Sequence, residues 1–304
     1  RKEIVPIDGE WIGDRINGGG KEKERIVEIY CGDSAVSNLP ESSLHAVFTD
    51  PPYFGNVQYA ELMDFCYVWL RRLINRKIEA FGNKSTRNPQ ELTGNVEMGR
   101  DLDHFTEGVS SVFQRMTKAL KPGAPLAFTY HHNRLEAYLP VAVAILDSGL
   151  TCTTSLPCPG EMGASIHING TGSSIIDTIF VCRTTGVVSR KTLNNSAEGV
   201  ASLVRGDLVK LQMGNVRPTF GDTRCIAYGH LIRLAIWHLR SAWDKTAQTS
   251  KRIAAVSGWL RNFGGWREVE RYLYGANNPL GQNLLPAASE PFEEYGVEDD
   301  EVSF

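Results

Sequence analysis

Four consecutive residues, Asp50-Pro51-Pro52-Tyr53, combine groups that could bind an amine and a planar ring. An apolar run over residues 46–48 precedes them and predicts the end of a buried strand. The two prolines forbid both a helix and further sheet pairing, so the chain must turn there. The Asp50 carboxylate and the Pro51 carbonyl are both acceptors, which suits an amino group that donates two hydrogens. The ring of Tyr53 offers a face on which a base could stack.

Other predicted strands also end in polar residues. A β-branched and aromatic stretch over 25–30 predicts a strand that ends near Asp33-Ser34, and the predicted strand over 125–130 is followed by His131-His132. Ligands of open α/β sheets bind beyond the carboxyl ends of the strands. We therefore expect these residues at the ligand edge, although an acid before two prolines also ends ordinary strands. The two histidines lack a third partner, so no metal site is predicted.

The motif and its continuation resemble a known family. Asp50-Pro51-Pro52-Tyr53 resembles the Asp-Pro-Pro-Tyr motif of amino-methyltransferases, which methylate the exocyclic nitrogen of adenine or, less often, cytosine with S-adenosylmethionine. The segments Asn56-Val57-Gln58-Tyr59-Ala60-Glu61-Leu62 and Tyr67-Val68-Trp69-Leu70 are similar to a subfamily of large adenine-specific DNA methylases that carry a zinc ribbon and an extra N-terminal domain. The resemblance covers residues 25–185.

The resemblance and the position of the motif suggest roles for single residues. The expected catalytic residues are Asp50, Pro51, Pro52 and Tyr53. The expected cofactor-binding residues are Asp33, Ser34 and Asp50, with a local turn as the alternative for the first two. The expected substrate-binding residues are Phe54, Asn56, Tyr59 and His131. Gly55 stands where the family carries an acidic residue, so that acidic role is not expected here.

One part of the family pattern is missing. Family members carry a glycine-rich turn of the form Asp-Pro-Phe-x-Gly-x-Gly after their first strand, and no such turn precedes Asp50. The segment Asn262-Phe263-Gly264-Gly265-Trp266 is superficially similar, but its surroundings predict helix. We therefore expect the C-terminal part of such a protein, lacking the first strands of the sheet. An N-terminal segment or subunit carrying the turn is an expected partner, and the chain alone should bind cofactor weakly or not at all.

Composition is that of a soluble globular protein, with 304 residues, 42% hydrophobic and 22% charged. No apolar run is long enough for a membrane span. Six scattered cysteines without a Cys-x-x-Cys pair predict a reducing cytoplasm and no zinc ribbon. Residues 187–275 hold fourteen Lys or Arg against six Asp or Glu, whereas residues 289–304 hold seven acidic residues and no basic ones. The basic segment is a candidate DNA contact, although a solvated surface explains it equally well.

Periodicity predicts the remaining elements. Helices are expected over 59–76, 103–120 and 135–148, and strands over 125–130, 151–156 and 175–183. This order predicts an α/β fold, the Rossmann-like sheet of S-adenosylmethionine-dependent methyltransferases with an antiparallel last strand, followed by a C-terminal helical segment. The expected divisions are a flexible lead-in, a methyltransferase catalytic domain, a helical appendage and an acidic flexible tail, over residues 1–24, 25–185, 186–275 and 276–304.

The expected activity is methylation of the N6 amino group of adenine in DNA, with S-adenosylmethionine as cofactor and DNA as partner. Two alternatives remain. One is methylation of cytosine N4 or of an RNA target. The other is a non-catalytic nucleic-acid-binding or assembly module derived from a methylase, which the missing glycine turn and the basic helical segment would favour.

Overall fold

The computed structural model describes residues 9–12, 15–18, 25–28, 32–55, 57–95, 98–160, 174–184 and 195–275. The chain divides into two compact units between Asn38 and Leu39. The first unit contains strands β1 (Gly9–Ile12), β2 (Arg15–Gly18) and β3 (Arg25–Glu28), which form an antiparallel sheet in the order β1-β2-β3.

This small sheet differs from the sequence-based expectation. The strands β1 and β2 lie in the range 1–24, where we expected a flexible lead-in. The predicted strand over 25–30 exists as β3, but it pairs with β2 and is not part of the main sheet. Sequence periodicity gives the type of a strand but not its neighbour, because pairing partners are chosen by tertiary contacts.

The second unit is built on a four-stranded mixed sheet. Its strands are β4 (Val47–Thr49), β5 (Pro125–Tyr130), β6 (Thr151–Pro159) and β7 (Ile176–Arg183), in the order β4-β5-β7-β6. β4 is parallel to β5, and β7 is antiparallel to both of its neighbours. The predicted α/β class and the antiparallel last strand are confirmed.

Seven helices accompany these strands in the described part of the chain: α1 (Tyr59–Ile74), α2 (Leu102–Ala119), α3 (Leu139–Asp147), α4 (Ala197–Met213), α5 (Phe220–Leu239), α6 (Thr249–Phe263) and α7 (Gly265–Tyr274). The three predicted helices are confirmed, the third beginning as a short 3-10 turn. Gly264, at φ 96°, ends α6 and starts α7, so the Gly264-Gly265 pair is a helix–helix turn as its context predicted. None of the described helices has the length and apolarity that crossing a bilayer requires.

The helical segment and the sheet share one hydrophobic core. α5 packs on β6 and β7, and α4 and α7 pack on each other and on α5. Buried side chains from both parts form one cluster, including Phe128 and Phe180 of the sheet, whose rings stack 5.2 Å apart, and Val204 and Leu231 of the helices. The expected division near residue 185 is therefore not a boundary between packing units, since Leu39–Phe304 is one unit.

The strand β4 lies at the edge of the sheet and is not buried as expected. Phe48 at its centre is 79% exposed, and the second edge of β4 has no partner strand among the described residues. The apolar face of α1 is also exposed, although its spacing was correctly read as a helix. Its exposed large apolar side chains are Leu62, Met63, Phe65, Val68, Trp69, Leu70 and Leu73. Only Ala60 and Tyr67 of this helix are buried.

A buried ion pair joins α6 to the helices beside the sheet. The guanidinium of Arg252 bonds to the carboxylates of Asp147 and Glu107, and the Asp147 side chain is completely buried. Ser110 and Trp243 also donate to Asp147, at 2.7 and 2.9 Å. Every oxygen of this carboxylate is thus satisfied, which is what makes a buried charge tolerable.

We expect Arg252→Met to lower the free energy of unfolding by about 3 kcal/mol or more, because it leaves Asp147 buried without its cationic partner. The matched control is Arg271→Met, which removes an ion pair to Glu268 from an arginine that is 68% exposed. That change should cost less than about 1 kcal/mol. Urea unfolding measures the free energy of unfolding of both variants. Equal losses would show that the buried ion pair stabilises the fold no more than the exposed one does.

Candidate functional site

The Asp50 carboxylate is fixed at the carboxyl end of β4 by two neighbours. Thr49 lies opposite Phe128 in the parallel pairing with β5, which places Asp50 beside Thr129. The hydroxyl groups of Thr129 and Tyr53 both donate to Oδ1 of Asp50, that of Tyr53 at 3.1 Å. No group in the described part of the chain bonds to Oδ2, and Asp50 is exposed. One oxygen is held by the protein and the other is available to a ligand.

Tyr53 is held through both its ring and its hydroxyl. The ring meets that of Tyr130 edge-on, with centroids 5.2 Å apart and planes at 65°. Burial raises the pKa of the Tyr53 hydroxyl well above its usual range, so it acts as a neutral donor to Asp50. We expected mainly a ring face for a base. The structure adds a positioning contact to the acid, and stacking on a base stays a prediction.

An open cavity of about 940 Å³ lies in front of this corner. Asp50, Tyr53, Tyr59 and His131 all line it, so four of the residues selected from the sequence meet at one place. Its floor is formed by side chains of β5 and β7. The volume is at the upper end of the range of ligand pockets and exceeds what a single nucleoside needs.

A second carboxylate, Asp177, also lines the cavity. The Nδ1 atom of His131 lies 3.0 Å from the carbonyl oxygen of Ile176 and 3.9 Å from Oδ1 of Asp177. A carbonyl oxygen can only accept, so Nδ1 is the donor in this contact. A Cβ on Gly160 would lie 3.0 Å from Oδ2 of Asp177, so this wall is closely packed. Two carboxylates therefore face the cavity, and it favours cationic or hydrogen-donating ligands.

Several predicted site residues lie elsewhere. Pro51 and Pro52 are half-buried and do not line the cavity. The ring of Phe54 packs edge-on against Phe105 with centroids 5.3 Å apart, so it lies against the core and is not among the residues that line the cavity. A substrate contact by Phe54 stays a prediction. Asn56 lies outside the described residues.

The predicted cofactor residues Asp33 and Ser34 form a local turn. The exposed Asp33 accepts a hydrogen bond from the backbone N–H of Ala35 at 2.8 Å, and the Ser34 carbonyl accepts one from Ser37 at 3.1 Å. This is the geometry of the alternative that the sequence left open. A role in cofactor binding stays a prediction.

Sequence reasoning missed several lining residues, among them Thr129, Asn133 and Asp177. Two of them carried a readable signal, because each is a polar interruption in an otherwise apolar strand. Thr129 is the residue before the end of β5, and Asp177 is the acidic residue at the start of β7. Such residues at strand ends that face the ligand edge are candidates for site residues.

His132, next to His131, has a structural role. Its Nδ1 accepts a hydrogen bond from the backbone N–H of Arg134 at 2.9 Å. The backbone N–H of His132 donates to the Tyr138 hydroxyl. Burial lowers the pKa of His132 to about 4, so the ring is neutral near pH 7. Within the described residues, no group of three His, Cys, Asp or Glu side chains is arranged to hold a metal ion.

Comparisons with known proteins add little to this geometry. No family model and no curated protein matches the chain. Two crystal structures of TTHA0409 from Thermus thermophilus, a protein whose name assigns it provisionally to the DNA modification methylases, are 18% identical to the chain with a TM-score of 0.27. The first match covers 53% of this chain and 55% of that one, and the second covers 58% and 72%. Likeness at this level carries no argument about function.

We expect the His132→Asn variant to lose less stability than the unsubstituted protein as the pH falls. The ordinary histidine pKa is 6.5 and that of folded His132 is about 4, so the unfolded chain takes up a proton first as pH falls through this window. Stability is therefore full above pH 6.5 and decreases toward pH 4. Asparagine cannot take up that proton but can accept the same N–H. Melting temperatures from about pH 7 to about pH 5 test this, and parallel curves for both proteins would contradict it.

Proposed function

We propose that the chain is the catalytic part of an amino-methyltransferase that acts on the N6 of adenine in DNA. The observation that carries the proposal is the Asp50 corner, which presents one uncommitted carboxylate oxygen to a cavity large enough for a nucleoside. The motif resemblance supplies the reaction class, and the order of the four-stranded sheet is compatible with it.

The chemistry requires that the amine nitrogen become a nucleophile. Its lone pair is delocalised into the base, so the ground-state nitrogen is nearly planar. Oδ2 of Asp50 would accept one of its hydrogens, which favours a tetrahedral nitrogen and localises the lone pair. The Pro51 carbonyl, the second acceptor that the motif suggests, does not line the cavity. The interaction strengthens as positive charge develops on nitrogen, so it stabilises the transition state more than the ground state.

Thr129 and Tyr53 support this role by holding the carboxylate in place. Both donate to Oδ1, so the acid does not have to reorganise when the amine arrives. Preorganised acceptors of this kind contribute more than mobile ones, because no energy is spent on orienting them. The target amine is inaccessible in a stacked duplex, so the base must be extruded into the cavity.

The cavity suits S-adenosylmethionine only in part. Asp50 and Asp177 give it a negative potential that favours the positively charged sulfonium, and the cofactor would supply an electrophilic methyl group. No glycine-rich turn follows a strand of the main sheet in the described residues, so the groups that hold the methionine part are not found there. We propose that this part is bound by a further polypeptide segment.

The exposed face of the second unit is where we place that segment. β4 has a free edge among the described strands beside the exposed Phe48, and α1 presents a continuous row of large apolar side chains. Strands of parallel sheets are normally covered on both faces, and apolar surfaces of this extent mark interaction sites. A segment that adds a strand parallel to β4 and a helix against α1 would cover both and bring the glycine turn to the cavity.

Asp50→Asn is expected to reduce methyl transfer by about 10²-fold or more, because the amide presents a weaker, uncharged acceptor. The assay follows a labelled methyl group from S-adenosylmethionine into DNA, with the intact protein that includes the glycine-turn segment. Asp103→Asn removes an exposed acid that lies outside the cavity and serves as the matched control. Full activity in Asp50→Asn would remove this residue from the mechanism.

The target is identified by digesting methylated DNA and RNA to nucleosides and determining their masses. N6-methyl-2′-deoxyadenosine from DNA supports the proposal, whereas N4-methyl-2′-deoxycytidine or a methylated ribonucleoside from RNA selects the first alternative. A non-catalytic module is favoured by the absence of the glycine turn. It predicts nucleic-acid affinity without cofactor affinity or methyl transfer in the intact protein, which titration with each ligand would show.

The apolar face of α1 is expected to bind a hydrophobic dye in the isolated chain. Phe65 and Leu73 are each 76% exposed, so Phe65→Glu/Leu73→Glu should reduce anilinonaphthalene sulfonate fluorescence severalfold with little change in melting temperature. Met213→Glu changes an equally exposed side chain on α4 and should have little effect. Unchanged fluorescence in the double variant would mean that this face is already covered.

A further inference from the structure

A second cavity adjoins the first, and its walls carry four arginines. We propose that this cavity, the arginine groove of Arg134, Arg224, Arg261 and Arg267, binds the phosphate backbone of the nucleic acid strand next to the target base. The inference rests on the function proposed above. The inference names substrate-binding residues in the helical segment. The sequence alone showed only that this segment has an excess of positive charge.

The position of the groove connects it to the candidate active site. Asn133 lines both cavities, and Arg134 follows it directly into the groove. The remaining arginines come from three helices, Arg224 from α5, Arg261 from the end of α6 and Arg267 from α7. The Gly264-Gly265 turn, with positive φ at both glycines, reverses the chain between the last two. A strand bound at Asp50 could therefore continue into the groove.

The charges of the groove are only partly neutralised by the protein. Four arginines line it against one acid, Glu136, and the nearby Glu270 interacts electrostatically with Arg224 and Arg267. Among the described residues, none of the four guanidinium groups forms an ion pair, whereas the structural arginines Arg100 and Arg252 both do. The Nε atom of Arg224 is buried without a hydrogen-bond partner. Unpaired guanidinium groups around a cavity of about 660 Å³ are suited to bidentate binding of phosphate oxygens.

Aromatic rings form part of the same wall. Trp266 and Tyr228 line the groove, and the Trp266 ring is held edge-on by Tyr228 and Phe220, with centroids 6.4 and 6.0 Å away. Trp266 is half-buried, so part of its surface remains accessible. Arginines that track a backbone together with a fixed aromatic platform are the usual combination for an unpaired nucleic acid strand.

The geometry favours a polymer over a single anion. The arginines are spread over four separate segments, and the chain as a whole has a net charge of −3, so the groove is a local exception. General attraction of anions to a basic protein does not account for it. Its continuity with the cavity at Asn133 matches a ligand that extends from a bound base along its own backbone.

The test compares two double variants of the full chain, Arg261→Gln/Arg267→Gln in the groove and Arg76→Gln/Arg217→Gln on exposed surface elsewhere. Fluorescence anisotropy with labelled single-stranded DNA and with a labelled duplex gives affinity at several salt concentrations. The groove variant should bind at least severalfold more weakly, and its slope of log affinity against log salt should fall by about two. The control variant should retain most of the affinity, and both should keep the melting temperature.

Three results would overturn the proposal. These are equal affinities and salt slopes for the groove variant and the unsubstituted chain, equal losses in both variants, or no binding by the unsubstituted chain. Failure of the proposed function is visible separately. A protein that binds through the groove but transfers no labelled methyl group to DNA would contradict the catalytic proposal alone.

Discussion

The parallel pairing of β4 with β5 is the constraint on which the candidate site depends. It is only three residue pairs long, yet it sets Asp50 beside Thr129 and brings Tyr53 over the end of the sheet. The two prolines then prevent the chain from continuing as a strand, so the corner has one geometry. A shift of β4 by one residue in this register would turn Asp50 away from Thr129 and remove the bond between them.

The helices and the antiparallel β7 hold this short pairing in place from behind. β5 is bonded along its whole length to β7, and the rings of Phe128 and Phe180 stack across that pair. α5 covers β6 and β7 and belongs to the same core. The strand that carries the acid is thus the least supported one, and it is anchored through the best-supported strand beside it.

Much of the second unit could be predicted from the sequence, because apolar periodicity reports local structure. The bounds of β5 and the start of α1 agree with prediction, and the Asp50 corner lines a cavity as the motif suggested. The burial of these elements was not predicted correctly. Phe48 and the stripe of α1 are apolar but exposed, since a pattern shows that a face prefers burial and not whether its partner is present. The arginine groove could not be predicted from the sequence either, because its four arginines are far apart in the chain.

The hydrogen bonds that the two Asp50 oxygens form, or leave free, determine which bases the cavity can bind. Oδ1 takes two hydroxyl donors, so the carboxylate turns only its second oxygen, Oδ2, toward the opening as a free acceptor. A keto oxygen at that point would meet another oxygen, and the repulsion would exclude thymine, uracil and the six-position of guanine. Discrimination between amino and keto bases would then be a property of electrostatics at one atom, independent of how closely the pocket fits the ring.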